Sequence, residues 1–276
     1  MTSYKKYLNM IPIHLVLIFF AIFALIPIWI IFISSVKPHL EVYKNQIALP
    51  EEFKFQFYQI LFKQGYYKNF LQSFYFASLT TLITVIISTL AAYAFAIKIF
   101  FGKTFLFVLV LIGLMISEIS IIVPVYIMIT DLNLQNTLLG IIIPQVALGL
   151  SFGIFLLTTF FKEVPKELIE ASVVDGCDDK KILYNVILPL SMPSIKALAL
   201  IEFLWAWNSF FFPLVLIQDT QVMPMSVRII DFMGRYLFNY GGIATVCILM
   251  FLPIFILYLV SQSSFHRGIT LGGLKG

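Results

Sequence analysis

Six stretches of this chain are too long and too apolar for a water-soluble fold: 11–35, 70–97, 104–130, 137–160, 194–217 and 242–263. At about 1.5 Å per helical residue, each crosses a hydrocarbon layer of about 30 Å. Backbone N–H and C=O groups in lipid need partners within the protein, and an α-helix supplies them locally. The alternating segments of about ten residues that build a membrane barrel are absent. The expectation is an all-α membrane protein, one domain over 1–276, with six transmembrane helices. Only 12% of the residues are charged, against about 25% in soluble domains. The first stretch follows Lys5 and Lys6, but it is too long for a signal peptide and lacks a small-residue cleavage site, so it reads as a retained span. Pro27, Pro124, Pro144, Pro213 and Pro253 predict kinks in or near spans.

An even number of spans puts both termini on one side. Lys5, Lys6, Lys98, Lys103, Lys162, Lys166, Lys180, Lys181, Arg267 and Lys275 fall on that side, which the positive-inside rule makes the cytoplasm. The opposite side holds Lys37, Lys44, Lys54, Lys63, Lys68, Arg228 and Arg235, so the bias is modest. The net charge of +4 is scattered at segment ends and gives no reason to expect nucleic acid as a partner. Cys177 and Cys247 make neither a disulfide pair nor a metal motif. The connections 98–103 and 131–136 are tight. The loop 36–69 is long and aromatic-rich, suited to an external cap, and 218–241 is a second external loop.

The loop 161–193 is the long connection on the cytoplasmic side, between spans four and five. Val164-Pro165 followed by Lys166-Glu167 reads as a helix start, with proline at the first turn and an acid behind it. Leu168, Ala171, Ser172 and Asp175 share one face by three-four spacing. Gly176 follows as a turn residue open to positive φ, and 178–187 forms a second short helix leading to Leu188-Pro189 and Pro193. Two readings stand on the residues alone. A rigid helix with small residues on one face fits a groove on a soluble partner. A solvated connection whose charges keep it out of lipid explains the composition equally well.

The run Glu170-Ala171-Ser172, Gly176, Val186 and Leu188-Pro189 closely resembles the EAA motif of binding-protein-dependent ABC importer permeases. Ser172 stands for an alanine and Val186 for an isoleucine of the family pattern. The likeness extends over most of the chain and is strongest to the carbohydrate type, similar to the second permease subunit of the maltose transporter. Ser35-Val36-Lys37-Pro38, the stretch Ala91-Ala92-Tyr93-Ala94-Phe95-Ala96, Trp207-Asn208 and the ending from Gly268 carry it further. Gln72-Ser73 replaces the usual Asn-Ser that opens span two, and Ser117-Glu118 stands where a proline is common.

The resemblance implies a cytoplasmic coupling helix in which Glu170, Ala171, Ser172, Asp175, Gly176, Leu188 and Pro189 engage an ATPase. It also implies that the tail residues Gly273, Lys275 and Gly276 reach that ATPase. The implied partners are a second homologous permease, two cytoplasmic ATPase subunits and an extracytoplasmic solute-binding protein, in the lipid bilayer of the bacterial cytoplasmic membrane. No catalytic residue and no cofactor is expected in this chain. ATP and Mg belong to the ATPase.

Span five brings Glu202, Trp205 and Ser209 onto one helical face with Phe212, and Asn208 at its edge. A polar-aromatic stripe near the bilayer midplane suits a sugar, and it equally suits packing against the partner permease. Glu118 in span three is a second intramembrane acid, which has to face the bundle or a water-filled cavity. Sugars and oligosaccharides lead as solutes, with polyols and glycerol phosphate derivatives beside them. The alternative is a proton- or ion-coupled secondary carrier that uses Glu118 and Glu202. A membrane-embedded enzyme lacks support: there is no His-Glu-x-x-His pair and no nucleophile elbow.

Overall fold

The computed structural model describes the backbone of residues 2–234 and 238–272, and the side chains of 13–38, 40–234 and 238–259. Among these residues the chain is helical throughout: α1 (Thr2–Ser35), α2 (His39–Lys44), α3 (Gln56–Lys63), α4 (Tyr66–Ile97), α5 (Lys103–Ile112), α6 (Glu118–Asp131), α7 (Leu138–Lys162), α8 (Lys166–Val174), α9 (Asp179–Ile182), α10 (Leu188–Asn208), α11 (Phe211–Leu216), α12 (Met225–Arg228) and α13 (Tyr240–Gly272). Five helices are long and apolar enough to cross a membrane, and the bent pair α5–α6 raises the number to six.

Two spans depart from the expected continuity. The stretch 104–130 is not one helix: α5 ends in a 3-10 turn, Ile116 is extended, and α6 leaves at 102°. Ser117 stands at the N-cap position in extended conformation, and Glu118 occupies the first turn of the new helix. An acid is favourable there because it faces unpaired amides at the positive end of the helix dipole. The stretch 194–217 is likewise interrupted. Helix α10 stops at Asn208, Ser209 is extended, and α11 is a separate short helix. Pro213 explains the stop, since its ring would clash with the Ser209 carbonyl and it has no N–H to offer in a continuous helix.

The beginning of span five also differs from expectation. Leu188, Pro189 and Pro193 do not close a loop. Asp179–Asn208 is a single helical rod, and a π-turn over Leu183–Ile187 precedes Pro189. Widening that turn makes room for the proline ring and removes the need for its missing N–H. The connection outside regular span helices is therefore shorter than 161–193.

The contacts group into two compact units, residues 1–66 with 229–252 and residues 67–228 with 253–276. In the first, Phe57 and Leu61 of α3 are buried, Tyr66 donates to Asp231 at 2.6 Å, and the buried Lys37 donates to the Asn45 carbonyl at 2.6 Å. Gly241 and Gly242 are open enough for the rings of Phe57 and Phe232 to lie against the start of α13.

The second unit is built on α4, α7 and α10. Gly149 and Gly153 sit one turn apart on α7. A Cβ at Gly153 would meet Ser88 Cβ of α4 at 2.9 Å and Leu198 Cδ2 of α10 at 3.3 Å; one at Gly149 would meet Glu202 Cδ of α10 at 3.0 Å. Small residues at such spacing let membrane helices approach closely. Phe70 and Phe74 of α4 then pack on Trp207 and Phe203 of α10, with ring centroids 5.4 and 6.1 Å apart. Trp207 and Phe203 stack on each other at 5.9 Å. Further along, Ala92, Tyr93, Leu157, Phe161, Ile182, Leu183, Ile187 and Leu198 form one buried cluster.

Replacing Gly153 by valine forces α4, α7 and α10 apart and should cost about 1–3 kcal/mol, read as a lower Tm of the detergent-solubilised protein. An unchanged Tm would mean the three helices are not held at this distance.

Candidate functional site

Both helix breaks open onto the same place. An open cleft of about 470 Å³ is lined by Glu118 at the start of α6, Gln145 and Gly149 of α7, Trp205 and Asn208 at the end of α10, and Ser209 in the break. Leu148, Leu204, Phe210 and Phe211 complete the wall. The Glu118 carboxylate accepts the Phe212 N–H at 3.0 Å. It thus joins the first turn of α6 to the first turn of α11. The main chain of the break is also pinned, with Ser226 Oγ donating to the Ser209 carbonyl at 2.7 Å. Asn208 Nδ2 turns back to the Leu204 carbonyl at 2.8 Å. Trp205, 47% exposed, lies against Phe152 at a centroid distance of 4.9 Å.

Of the residues singled out in the sequence, the structure brings together Glu118, Trp205, Asn208 and Ser209. The shared face of Glu202, Trp205, Ser209 and Phe212 does not exist, because the helix that would carry it ends at Asn208. Glu202 is 1% exposed and lies behind the wall, against Gly149. Its Oε1, together with Gln145 Oε1 and Ser209 Oγ, is buried without a hydrogen-bond partner. The sequence reading missed Gln145 and Gly149. Their signals were a lone amide beside Pro144 in an apolar span and the four-residue spacing of Gly149 and Gly153.

The second site is the hairpin α8–α9. The amide of Gly176, at φ 77°, donates to the Val173 carbonyl at 3.0 Å, and the amide of Cys177 to the Ser172 carbonyl at 3.0 Å. This pair of bonds is the Schellman ending that a positive-φ residue permits. Asp178 then caps α9 by accepting the Lys181 amide at 3.0 Å. No residue of α8 is buried. Ile169 and Cys177 touch the cluster below, while Leu168, Val173 and Val174 stand in the open at 46%, 57% and 87% exposure. Glu170 and Asp175 are exposed as well. Lys98, at the turn after α4, forms an ion pair with Asp179 and braces the hairpin. The tail residues Gly273, Lys275 and Gly276 lie outside the described residues.

Residues 6–271 match the family described as binding-protein-dependent transport system inner membrane component. The chain is 32% identical over 279 residues to the osmoprotective compounds uptake permease protein GgtD of Synechocystis sp., covering 96% of this chain and 92% of that one. It is 31% identical over 257 residues to the trehalose transport system permease protein SugB of Mycobacterium tuberculosis, covering 92% and 93%. With the arabinooligosaccharides transport system permease protein AraQ of Halalkalibacterium halodurans it shares 29% over 263 residues, 94% of each chain. Among solved structures, the fold matches a chain of a bacterial ABC transporter involved in the import of the acidic polysaccharide alginate. The TM-score is 0.80 at 20% identity, over 94% of this chain and 97% of that one.

The chain belongs to the family of binding-protein-dependent transport system inner membrane components. It is a multi-pass permease subunit of an ABC importer, and the proton- or ion-coupled carrier is not favoured.

Glu118→Ala removes the acceptor that holds α11 to α6. Hydrogen exchange at the Phe212 amide should rise by about tenfold or more, the equivalent of one lost hydrogen bond to a charged group. Unaltered exchange would show that the junction is held by other contacts.

Proposed function

We propose that this permease forms half of the translocation pathway for a sugar or oligosaccharide and is driven through α8 by a cytoplasmic ATPase. The carrying observation is the exposure of α8: a short helix with Leu168, Val173 and Val174 uncovered, held rigid from below by the buried cluster and reversed at Gly176. Apolar side chains on a braced, protruding helix are the chemistry of helix-in-groove recognition. In this reading Glu170 supplies a polar contact, Ala171 and Ser172 allow close approach, and Asp175 and Gly176 set the reversal. The rod Asp179–Asn208 joins that hairpin to the cleft without a break. A push on α8 therefore reaches the cleft wall along a helix that begins at Leu188 and Pro189 and ends at Trp205 and Asn208.

The remaining partners are a second homologous permease, two ATPase subunits that bind ATP and Mg, and an extracytoplasmic solute-binding protein. The tail Gly273, Lys275 and Gly276 would also reach the ATPase. The location is the bacterial cytoplasmic membrane with both termini in the cytoplasm, which the placement of α8 on the ATPase side requires. Support for a carbohydrate comes from the wall itself, with an indole face for C–H stacking and acceptors for hydroxyls, and from the trehalose and arabinooligosaccharide permeases among the relatives.

Gly176→Arg and Leu168→Asp should both leave the chain in the membrane, lose copurification with the ATPase subunit, and abolish ATP-driven uptake. The second variant alters an exposed side chain only, so it separates docking from folding of the hairpin. Normal ATP-driven uptake by both would refute the role of α8. Uptake that survives collapse of the protonmotive force but stops on ATP depletion fits the proposal, and the reverse pattern contradicts it.

A further inference from the structure

Resting on the reading of the cleft as solute pathway, we infer that it admits uncharged, hydroxyl-rich solutes and turns away anionic ones, with Glu118 setting that sign.

Among the described residues that line the cleft, Glu118 is the one charged side chain, and none is Lys, Arg or His. The buried, unpartnered atoms at the wall, Gln145 Oε1 and Ser209 Oγ, are both able to accept. Both residues are more than nine-tenths buried, at 8% and 6% exposure. Helix α10 ends at the cleft, so its last carbonyls and the negative end of its dipole lie there too. Glu202 adds a second carboxylate directly behind Gly149. A solute with many O–H donors therefore meets the Glu118 carboxylate and the end of α10 at the surface, with the acceptors of Gln145, Ser209 and Glu202 buried just behind it.

One feature opposes this pattern. Helix α6 begins at the cleft, and a helix N-terminus by itself favours an anion. Glu118 occupies that position and also takes the Phe212 amide at the head of α11. The amide ends are thereby answered from within the chain, and the net sign left facing the solute is negative. A phosphorylated or uronic solute would have to displace or face this carboxylate in a cleft whose apolar side walls concentrate the field. Glycerol phosphate derivatives are therefore set aside, and neutral sugars and polyols remain.

Charge selectivity can be read without knowing the solute. Trp205 lies in the cleft, and the chain has three tryptophans. The full chain in nanodiscs, carrying Trp29→Phe, is titrated with acrylamide, iodide and caesium as neutral, anionic and cationic collisional quenchers. Subtracting the same titration of the Trp205→Phe variant isolates Trp205. Each constant is taken relative to that for free tryptophan. Acrylamide should reach Trp205, while iodide quenching should be about tenfold weaker. Glu118→Gln, which keeps an acceptor for the Phe212 amide, should raise iodide quenching by about threefold or more and leave acrylamide unchanged. Equal quenching by iodide and acrylamide in the unmodified cleft would overturn the charge inference and leave the pathway reading intact. Iodide quenching that does not respond to Glu118→Gln would overturn the role of Glu118. Failure of acrylamide to reach Trp205 would overturn the pathway reading, and the inference with it.

Discussion

The close approach of three helices at Gly149 and Gly153 decides where everything else in the second unit lies. Lipid gives two apolar helices little reason to meet, because their side chains are as well solvated by tails as by each other. Association then depends on close packing and on polar groups that lipid would not accept. The two glycines supply both conditions. They bring α4 and α10 close to α7, and they leave space for the Glu202 carboxylate and the Ser88 hydroxyl inside the bundle. A carboxylate within a membrane has to be turned inward in this way. With that contact made, the aromatic pairs of α4 and α10 fall into register. One end of α10 becomes the cleft wall, and the other end covers the cluster beneath α8.

Two interrupted spans follow from the same rule. Irregular backbone at membrane depth is tolerated where it faces protein or a water-filled cavity. The breaks at Ile116–Ser117 and Ser209–Phe210 meet that condition by opening onto one cleft and sharing one carboxylate. Glu118 is favourable there for local reasons, as a first-turn acid, and the same placement gives the cleft its sign. A structural requirement and a selective property thus reside in one side chain.

The six-span, all-helical architecture was legible in the residues because apolar length is a one-dimensional property. So was the reversal at Gly176, since a positive φ and its hydrogen bonds involve only neighbours in the chain. The breaks were legible in part. Ser117-Glu118 is helix-start chemistry inside an apolar run, and Asn208-Ser209 with Pro213 is stop chemistry, but each was outweighed by the length of the hydrophobic stretch around it. The helical face drawn through Glu202, Trp205, Ser209 and Phe212 failed for this reason.

The sequence by itself determined the number and kind of spanning segments, the place of the exposed hairpin and, through its motif, the family. Tertiary structure alone decided which polar groups share the cleft. Glu118, Gln145 and Trp205 are far apart in the chain, and no local periodicity relates them. They meet because two helix breaks open onto one cleft and two glycines allow a third helix to come close. Glu202, which the sequence placed in the same set as Trp205, was moved behind the wall by the same contact. Burial against Gly149 depends on the distance between helix axes, and that distance is a property of the packed bundle rather than of either helix.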